Sequence, residues 1–364
     1  MALCLSGGGY RAMLFHLGTL WRLNELGIMS QLKRISSVSG GSITAGQLGL
    51  QWSKLDWQNG IAQDFVQKVV DPIRKLASHT LDEKAIFGGI LSPGKSISEE
   101  VAEAYSKYLY GKATLQDLPD DEVAAKPAPR FVINATSVQS GVLVRFSRKY
   151  MADYRVGLYP NPTIPLAVAV AASSAFPPVL SPATIKLPDG AIKDQPGTDL
   201  HREPFTKHLV LTDGGVYDNL GLETVWKKFK VVLVSDGGGQ FEAEDDPAGN
   251  WAGHAMRINT LIDSQVRALR KRQVVGSYER KEREGSYWRM RADITKYPAA
   301  KTLPCPLDRT TKLANTPTRL KEMDNALQER LINWGYALTD AAIRGHVQPQ
   351  HGAPADFPYP ASKV

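Results

Sequence analysis

Three glycine-bearing turns carry the residues that could do chemistry, and each follows a short predicted strand. They are Ser6-Gly7-Gly8-Gly9-Tyr10-Arg11, Ser37-Val38-Ser39-Gly40-Gly41-Ser42 and Leu211-Thr212-Asp213-Gly214-Gly215. In an open α/β sheet, sites form outside the carboxyl ends of the strands. Three such turns in one chain therefore predict a shared site more strongly than any one of them alone.

The second turn has the pattern of a nucleophile elbow. A serine between a strand and a helix, with small neighbours, sits on a sharp turn that exposes its hydroxyl. Ser39 is at the apex, and Ser37 stands where the usual pattern has its first glycine. Ser42 is expected to cap the following helix. A flexible serine-glycine turn without catalytic meaning is the alternative interpretation.

The first turn offers backbone amides as an oxyanion hole. Consecutive glycines at a helix N-terminus aim N–H groups, and the positive end of the helix dipole, at developing negative charge. Gly7, Gly8 and Gly9 are the predicted donors. A phosphate-binding loop competes, but no Gly-Lys-Ser/Thr follows and Arg11 is not placed as a Walker lysine would be. Taken alone, the motif fits a plain tight turn equally well.

The third turn offers a carboxylate base, since an aspartate can activate a serine within about 2.6–3.2 Å. Asp213 is one candidate, and Asp236, before Gly237-Gly238-Gly239, is another that residue chemistry alone does not separate. None of the seven histidines lies in such a turn, although His208 or His254 as the base stays open. No His, Cys, Asp or Glu cluster has the spacing of metal ligands, so neither a metal nor another cofactor is expected.

The elements that must position these turns begin as strand, helix, strand, helix over residues 2–6, 10–26, 33–38 and onward from near Ser42. Capping-box residues Ser96 and Glu99 and a stop at Gly111 mark a helix within a largely helical stretch, 60–110. Further strands are predicted at 131–134, 142–147, 208–212 and 231–235, and helices at 165–175, 255–272 and from Pro317. This order predicts a layered α/β fold with a largely parallel sheet.

The chain of 364 residues is expected to form one domain over 1–345, with an irregular insertion near 183–207 and a loosely ordered, proline-rich tail over 346–364. The net charge of +7 and pI near 9.2 favour anionic partners. Helix 255–272 has an apolar face and a basic face with Arg267, Arg270 and Arg272. The basic face predicts peripheral contact with an anionic membrane, unless it is simply solvated.

The remaining composition narrows the partners and the compartment. Basic residues alternate with Glu279, Glu282 and Glu284, so no nucleic acid is expected. Cys4 and Cys305 are expected to be free thiols. No run of about 18 apolar residues is present, and the first residues lack a basic signal region, so we expect a cytoplasmic protein. The oligomeric state is left open.

The motifs together resemble the patatin-like phospholipase family over residues 2–240. Gly7-Gly8-Gly9-Tyr10-Arg11 matches its oxyanion loop, Ser39-Gly40-Gly41 its elbow, and Asp213-Gly214-Gly215-Val216-Tyr217-Asp218-Asn219 its aspartate box. Ala172-Ser173-Ser174-Ala175-Phe176-Pro177-Pro178 also resembles a family landmark, and Leu331-Ile332-Asn333-Trp334-Gly335-Tyr336 resembles a stretch of some bacterial members. The aspartate box favours Asp213 over Asp236.

The resemblance implies a three-layer α/β/α fold with a mostly parallel central sheet. It also implies a Ser39–Asp213 dyad, with Gly7, Gly8 and Gly9 as the oxyanion hole. Supporting roles fall to Arg11, Gly40, Gly41, Gly214 and Gly215. The expected activity is phospholipase A-type cleavage of a phospholipid or another fatty acyl ester. A carboxylesterase or thioesterase acting on soluble acyl esters, and a non-catalytic lipid-binding module, are the alternatives.

Overall fold

The computed structural model describes residues 1–82, 96–123 and 127–364. The structure contains a ten-stranded sheet. Its strands are β1 Ala2–Leu5, β2 Arg34–Ser37, β5 Arg130–Ser137, β6 Leu143–Phe146, β7 Tyr150–Asp153, β8 Gly157–Pro160, β9 Ala183–Lys186, β10 His208–Asp213, β11 Val231–Asp236 and β12 Glu284–Arg289. The strand order is β12-β11-β1-β2-β5-β6-β7-β8, and β10 pairs with both β5 and β9. The strands β12, β11, β1, β2 and β5 are mutually parallel. A separate hairpin pairs β3 Trp57–Gln58 with β4 Ile61–Ala62.

Helices cover both faces of this sheet. They are α1 Gly9–Glu25, α2 Gly40–Gln51, α3 Asp71–Ala77, α4 Ile97–Tyr105, α5 Leu166–Ser173, α6 Gly215–Asp218, α7 Glu223–Trp226, α8 Trp251–Glu279, α9 Leu307–Ala314 and α10 Asn325–His346. Neighbouring side chains of a strand point to opposite faces of its sheet. Along β1, Leu3 and Leu5 join the core that contains α1 and α10, whereas Ala2 and Cys4 join a second core with Val274 of α8. The chain is therefore a three-layer α/β/α structure, as predicted.

One edge of β5 brings two distant turns together. The N-terminal half of β5 pairs with β2 in parallel, as far as Ser37 opposite Ile133. The C-terminal half pairs with β10 in the antiparallel sense, and β10 ends with Asp213 opposite Ala135. Since β6 occupies the other edge of β5, β2 and β10 share one edge and run towards each other. The turns that follow Ser37 and Asp213 therefore meet.

Several elements differ from the sequence-based expectation. The last long helix does not start at Pro317 but at Asn325, where Asp324 accepts the Leu327 N–H at 2.8 Å as a cap. The preceding segment is not helical, because Asp82 binds both the Arg319 side chain and the Leu320 N–H and holds this segment in another conformation. The helix predicted over 255–272 is longer, and β7, β8, β12 and α9 were not predicted.

The nucleophile helix and the tail also depart from the prediction. Helix α2 begins at Gly40 with Ser39 at its N-cap, so Ser42 lies inside the helix and makes no capping bond. The tail is packed: Asn333 donates to the carbonyls of Tyr359 and Lys363, and Phe357 is buried. Within the expected irregular insertion, residues 183–186 form β9 and pair with β10. The single domain over 1–345 stays a prediction.

Helices α1 and α10 cross at two glycines. A Cβ atom at Gly18 would overlap the carbonyl oxygen of Ile332, and one at Gly335 would overlap that of Phe15. Just before Gly335, the Asn333 side chain holds the tail and the Trp334 Nε1–H donates to Met290 O at 2.7 Å. The family-like stretch over 331–336 is therefore a helix-packing element.

We predict that Gly335→Ala destabilises the protein by about 3 kcal/mol, because two helix backbones must separate to admit a methyl group. Urea unfolding followed by circular dichroism measures the change. Gly249→Ala is the matched control, since nothing lies within 4 Å of the added Cβ there. Equal stability of the two variants would contradict the close crossing.

Candidate active site

The serine turn holds Ser39 in a conformation that few residues adopt. Ser39 has φ 50° and ψ −121°, between the end of β2 and the start of α2. A non-glycine residue in this region carries strain and persists only when its surroundings enforce it. Gly40 allows the close packing that does so, because a Cβ there would overlap the carbonyl oxygen of Gly9. The serine turn and the glycine turn are thus pressed against each other.

Ser173, at the end of α5, fixes the serine turn to the aspartate turn. Its Oγ accepts the Ser39 N–H at 2.9 Å and donates to Asn134 O of β5 at 2.7 Å. Its backbone carbonyl accepts the Gly214 N–H at 3.3 Å. Ser173 therefore connects both turns to the strand between them. Ser173 belongs to the family-like segment 172–178, whose sequence alone predicts no role for it.

Asp213 ends β10, and its carboxylate lies close enough to Ser39 for the serine hydroxyl to lower its pKa. Its Oδ1 accepts the Gly215 N–H at 2.6 Å. Burial raises the pKa of Asp213 to about 7, although hydrogen bonds from Gly215 and Ser39 lower this pKa. Only 3% of Asp213 is exposed. A carboxylate titrating near neutrality is suited to general-base chemistry.

The other candidate bases are bonded to other groups or lie elsewhere in the fold. Asp236 accepts the Tyr287 hydroxyl at 2.6 Å and the Gly238 N–H at 2.9 Å. His208 opens β10, at the opposite end from Asp213, and His254 is exposed near the start of α8. The buried His16 ring bonds to Ser235 Oγ and Ser6 O, and burial lowers its pKa to about 4. Of these groups, Asp213 is the one placed against Ser39.

The glycine turn presents two backbone amides. Gly7 N–H is already bonded to Asn219 O at 3.2 Å. The N–H groups of Gly8 and Gly9 make no hydrogen bond to any other described residue, and Gly9 begins α1. An oxyanion hole built from Gly8 and Gly9 fits these contacts better than one that uses Gly7. Donor roles for all three glycines stay predictions.

Arg11 and Asn219 hold the loops and turns around the candidate site in place. The Arg11 guanidinium is buried and donates to Gly237 O, Thr316 O and Thr318 Oγ1, so it holds two loops in place. Asn219 lies against both the glycine turn and the aspartate turn, because a Cβ at Gly7 or Gly215 would collide with its Oδ1. Among the described residues, no group of His, Cys, Asp and Glu side chains could hold a metal ion.

Comparison with known proteins identifies the family. The sequence model of the patatin-like phospholipases matches residues 3–226, which contain all three turns. The chain belongs to the patatin-like phospholipase family. No curated protein matches the chain significantly.

Solved structures of a patatin-like fold agree with this membership. Human GIVD cytosolic phospholipase A2 is 13% identical, with a TM-score of 0.53, over 94% of this chain and 61% of that protein. Its complex with methyl gamma-linolenyl fluorophosphonate is 14% identical, with a TM-score of 0.51, over 94% of this chain and 57% of that protein. The chain thus spans less than two thirds of the human protein. At this identity the likeness concerns the fold alone.

We predict that Ser173→Ala lowers kcat on a monomeric ester by about 10–100-fold with little change in KM, because the Ser39 turn loses the acceptor that holds it. Ser42→Ala is the matched control: the Ser42 hydroxyl also bonds to Ser173, at 2.9 Å, but not to Ser39. Steady-state kinetics of both variants test the assignment. Equal losses would show that Ser173 has no special positioning role.

We also predict that Asp213→Asn raises stability at pH 8 and not at pH 4. The folded pKa of about 7 lies above the unfolded value of about 3.9, so stability is lost as pH rises between them. Three pH units set an upper bound of about 4 kcal/mol. Thermal unfolding of wild type and variant at both pH values measures this. A destabilised variant at pH 8 would contradict the raised pKa.

Proposed function

We propose that this patatin-like protein is a phospholipase A-type acyl hydrolase with a Ser39–Asp213 dyad. The observation that carries the proposal is the contact between Ser39, on a strained turn, and a buried carboxylate with a pKa of about 7. Two unbonded glycine amides at the start of α1 lie on the neighbouring turn. These are the three parts that acyl transfer to serine requires.

The reaction takes two steps. Ser39 Oγ attacks the ester carbonyl carbon while the Asp213 carboxylate takes the hydroxyl proton, and the Gly8 and Gly9 amides bind the oxyanion. When the tetrahedral intermediate collapses, Asp213 returns the proton to the departing alkoxide and the acyl group stays on Ser39. Water then attacks the acyl-enzyme, gives its proton to Asp213, and releases the fatty acid. The proton passes back to Ser39.

The substrate is proposed to be a phospholipid or a related fatty acyl ester, in keeping with the family. A thioesterase or carboxylesterase for soluble esters would use the same dyad. Among the described residues, no helix is long and apolar enough to cross a membrane. Contact of α8 with an anionic membrane through its basic face has less support than expected, since Arg267 and Arg270 pair with Asp263 and Glu223.

We predict that Ser39→Ala and Asp213→Asn each reduce turnover by about 10³-fold or more, because each removes one half of the dyad. Release of fatty acid from defined phospholipids measures this, and p-nitrophenyl esters separate a soluble-ester enzyme from a lipase. A fluorophosphonate probe should label wild type and not Ser39→Ala.

The matched controls are Ser42→Ala and Asp236→Asn, which change a buried serine and an aspartate in a similar glycine turn. Near-normal turnover by Asp213→Asn would remove Asp213 as the base. Loss of turnover by Asp236→Asn alone would transfer that role to Asp236. Probe labelling of Ser39→Ala at the wild-type level would place the nucleophile elsewhere.

A further inference from the structure

Exposed apolar side chains concentrate on one helix of the protein. Twelve large apolar side chains of the described residues are exposed, and half of them belong to α8. The most exposed is Trp251, at 86%. The six are Trp251, Met256, Ile258, Leu261, Ile262 and Leu269. An apolar concentration of this kind marks an interaction surface, whereas single exposed residues need no explanation.

The spacing places most of these side chains on one face of α8. Trp251, Ile258, Ile262 and Leu269 follow one another at intervals of seven, four and seven residues, which return to the same side of an α-helix. The C-terminal part of α8 is anchored to the sheet, since Val274 is buried and the Tyr278 hydroxyl donates to Val232 O at 2.7 Å. We call the exposed side the α8 face.

Two basic residues of α8, Arg267 and Arg270, turn away from this face. Arg267 bonds to Gly239 O and to Asp263, and Arg270 pairs with Glu223 at 3.1 Å. A helix of a globular protein normally packs its apolar side against the core and leaves its charges in water. The N-terminal part of α8 has the opposite arrangement, and its apolar side faces outward.

Helix α8 lies beside the proposed catalytic dyad. Helix α8 packs against α6, which directly follows Asp213 and Gly214. Asp263 of α8 is close enough to act electrostatically on Asp213. Two further exposed apolar residues border the same turn. Val216 lies on α6, and Phe176 follows Ala175, whose carbonyl accepts the Asp213 N–H. Exposed apolar side chains therefore occur both on α8 and at the turn that follows the neighbouring strand end.

We propose that the α8 face, with Phe176 and Val216, is the surface on which the protein rests on a lipid aggregate. The inference rests on the proposed function, because a fatty acyl ester must leave its aggregate to reach Ser39. A lipid surface would cover these apolar groups and supply substrate at the same place. Trp251 suits this position, since indole rings favour the boundary between lipid and water. The apolar face, rather than the basic one, makes the contact.

A second copy of the chain is the other occupant to consider. A protein partner on this face would cover Phe176 and Val216, which border the catalytic turn, and would hinder entry of the substrate. The position of Phe176 and Val216 therefore favours a lipid surface.

The test uses the full chain with Ile258, Ile262 and Leu269 all changed to Gln, which keeps Trp251 as a reporter. The matched control is Val123→Gln with Leu307→Gln, two residues that are similarly exposed but lie outside α8. Co-sedimentation with phosphatidylcholine vesicles measures binding. We expect the triple variant to bind about tenfold more weakly or worse, because affinity scales with the apolar area buried in lipid. The control variant should bind as wild type does.

Three further readings complete the test. Vesicles should shift the fluorescence of wild type to the blue by more than they shift that of Trp251→Phe. The triple variant should lose hydrolysis of vesicle phospholipid while it keeps hydrolysis of a monomeric p-nitrophenyl ester. Unfolding temperatures should not differ, since the changed side chains are exposed.

Unchanged vesicle binding by the triple variant would overturn the inference. So would a lipid-free wild type that sediments as a dimer and a triple variant that sediments as a monomer, since a second copy would then cover the face. Absence of any ester hydrolysis by wild type would refute the proposed function, whereas the binding comparison would still decide the role of the α8 face.

Discussion

The structure depends on the shared edge of β5. Strand β2 reaches this edge in parallel and β10 in the antiparallel sense, so the two strands approach end to end. Their following turns, with Ser39 and Asp213, must then occupy the same place. The Thr136 hydroxyl of β5 donates to Asp213 O at 2.8 Å and fixes the end of β10. Ser173 fixes the other turn, so the contact between serine and carboxylate is a consequence of strand pairing.

The burial of Asp213 links reactivity with stability. A carboxylate removed from water binds its proton more tightly, which makes it a better base near neutral pH. The same desolvation makes the folded state less stable once the proton is lost. The surroundings compensate through the Gly215 N–H, and the Ser39 hydroxyl stabilises the ionised form. The proposed dyad and a stable fold therefore place opposite demands on this residue.

Much of the fold could be predicted from the sequence because its signals are local. The opening strand-helix-strand-helix order, the capping box at Ser96 and the three-layer class are confirmed. Strands β7, β8 and β12 were not predicted, since their pairing partners are set by tertiary structure. The predicted start of α10 was wrong by several residues because Asp82, far away in sequence, holds the segment before this helix.

The candidate site likewise has features that the local sequence predicts and features that it does not. Glycines next to a serine or an aspartate are visible in a sequence, so the residues of the dyad could be proposed. The antiparallel approach of β10 to β2 and the bond from Ser39 to Ser173 join residues more than a hundred positions apart. The bond from Gly7 to Asn219 is of the same kind, and it changes which glycine amides are available. No local pattern contains such contacts.

The pH dependence of the rate at which a fluorophosphonate labels Ser39 tests the central claim most directly, because labelling needs neither a lipid phase nor deacylation. The account predicts a labelling rate that rises with an apparent pKa of about 7 and then reaches a plateau, which reports ionisation of the buried Asp213. A rate that does not change between about pH 5 and pH 8 would contradict it, since no group titrating there would then activate the serine.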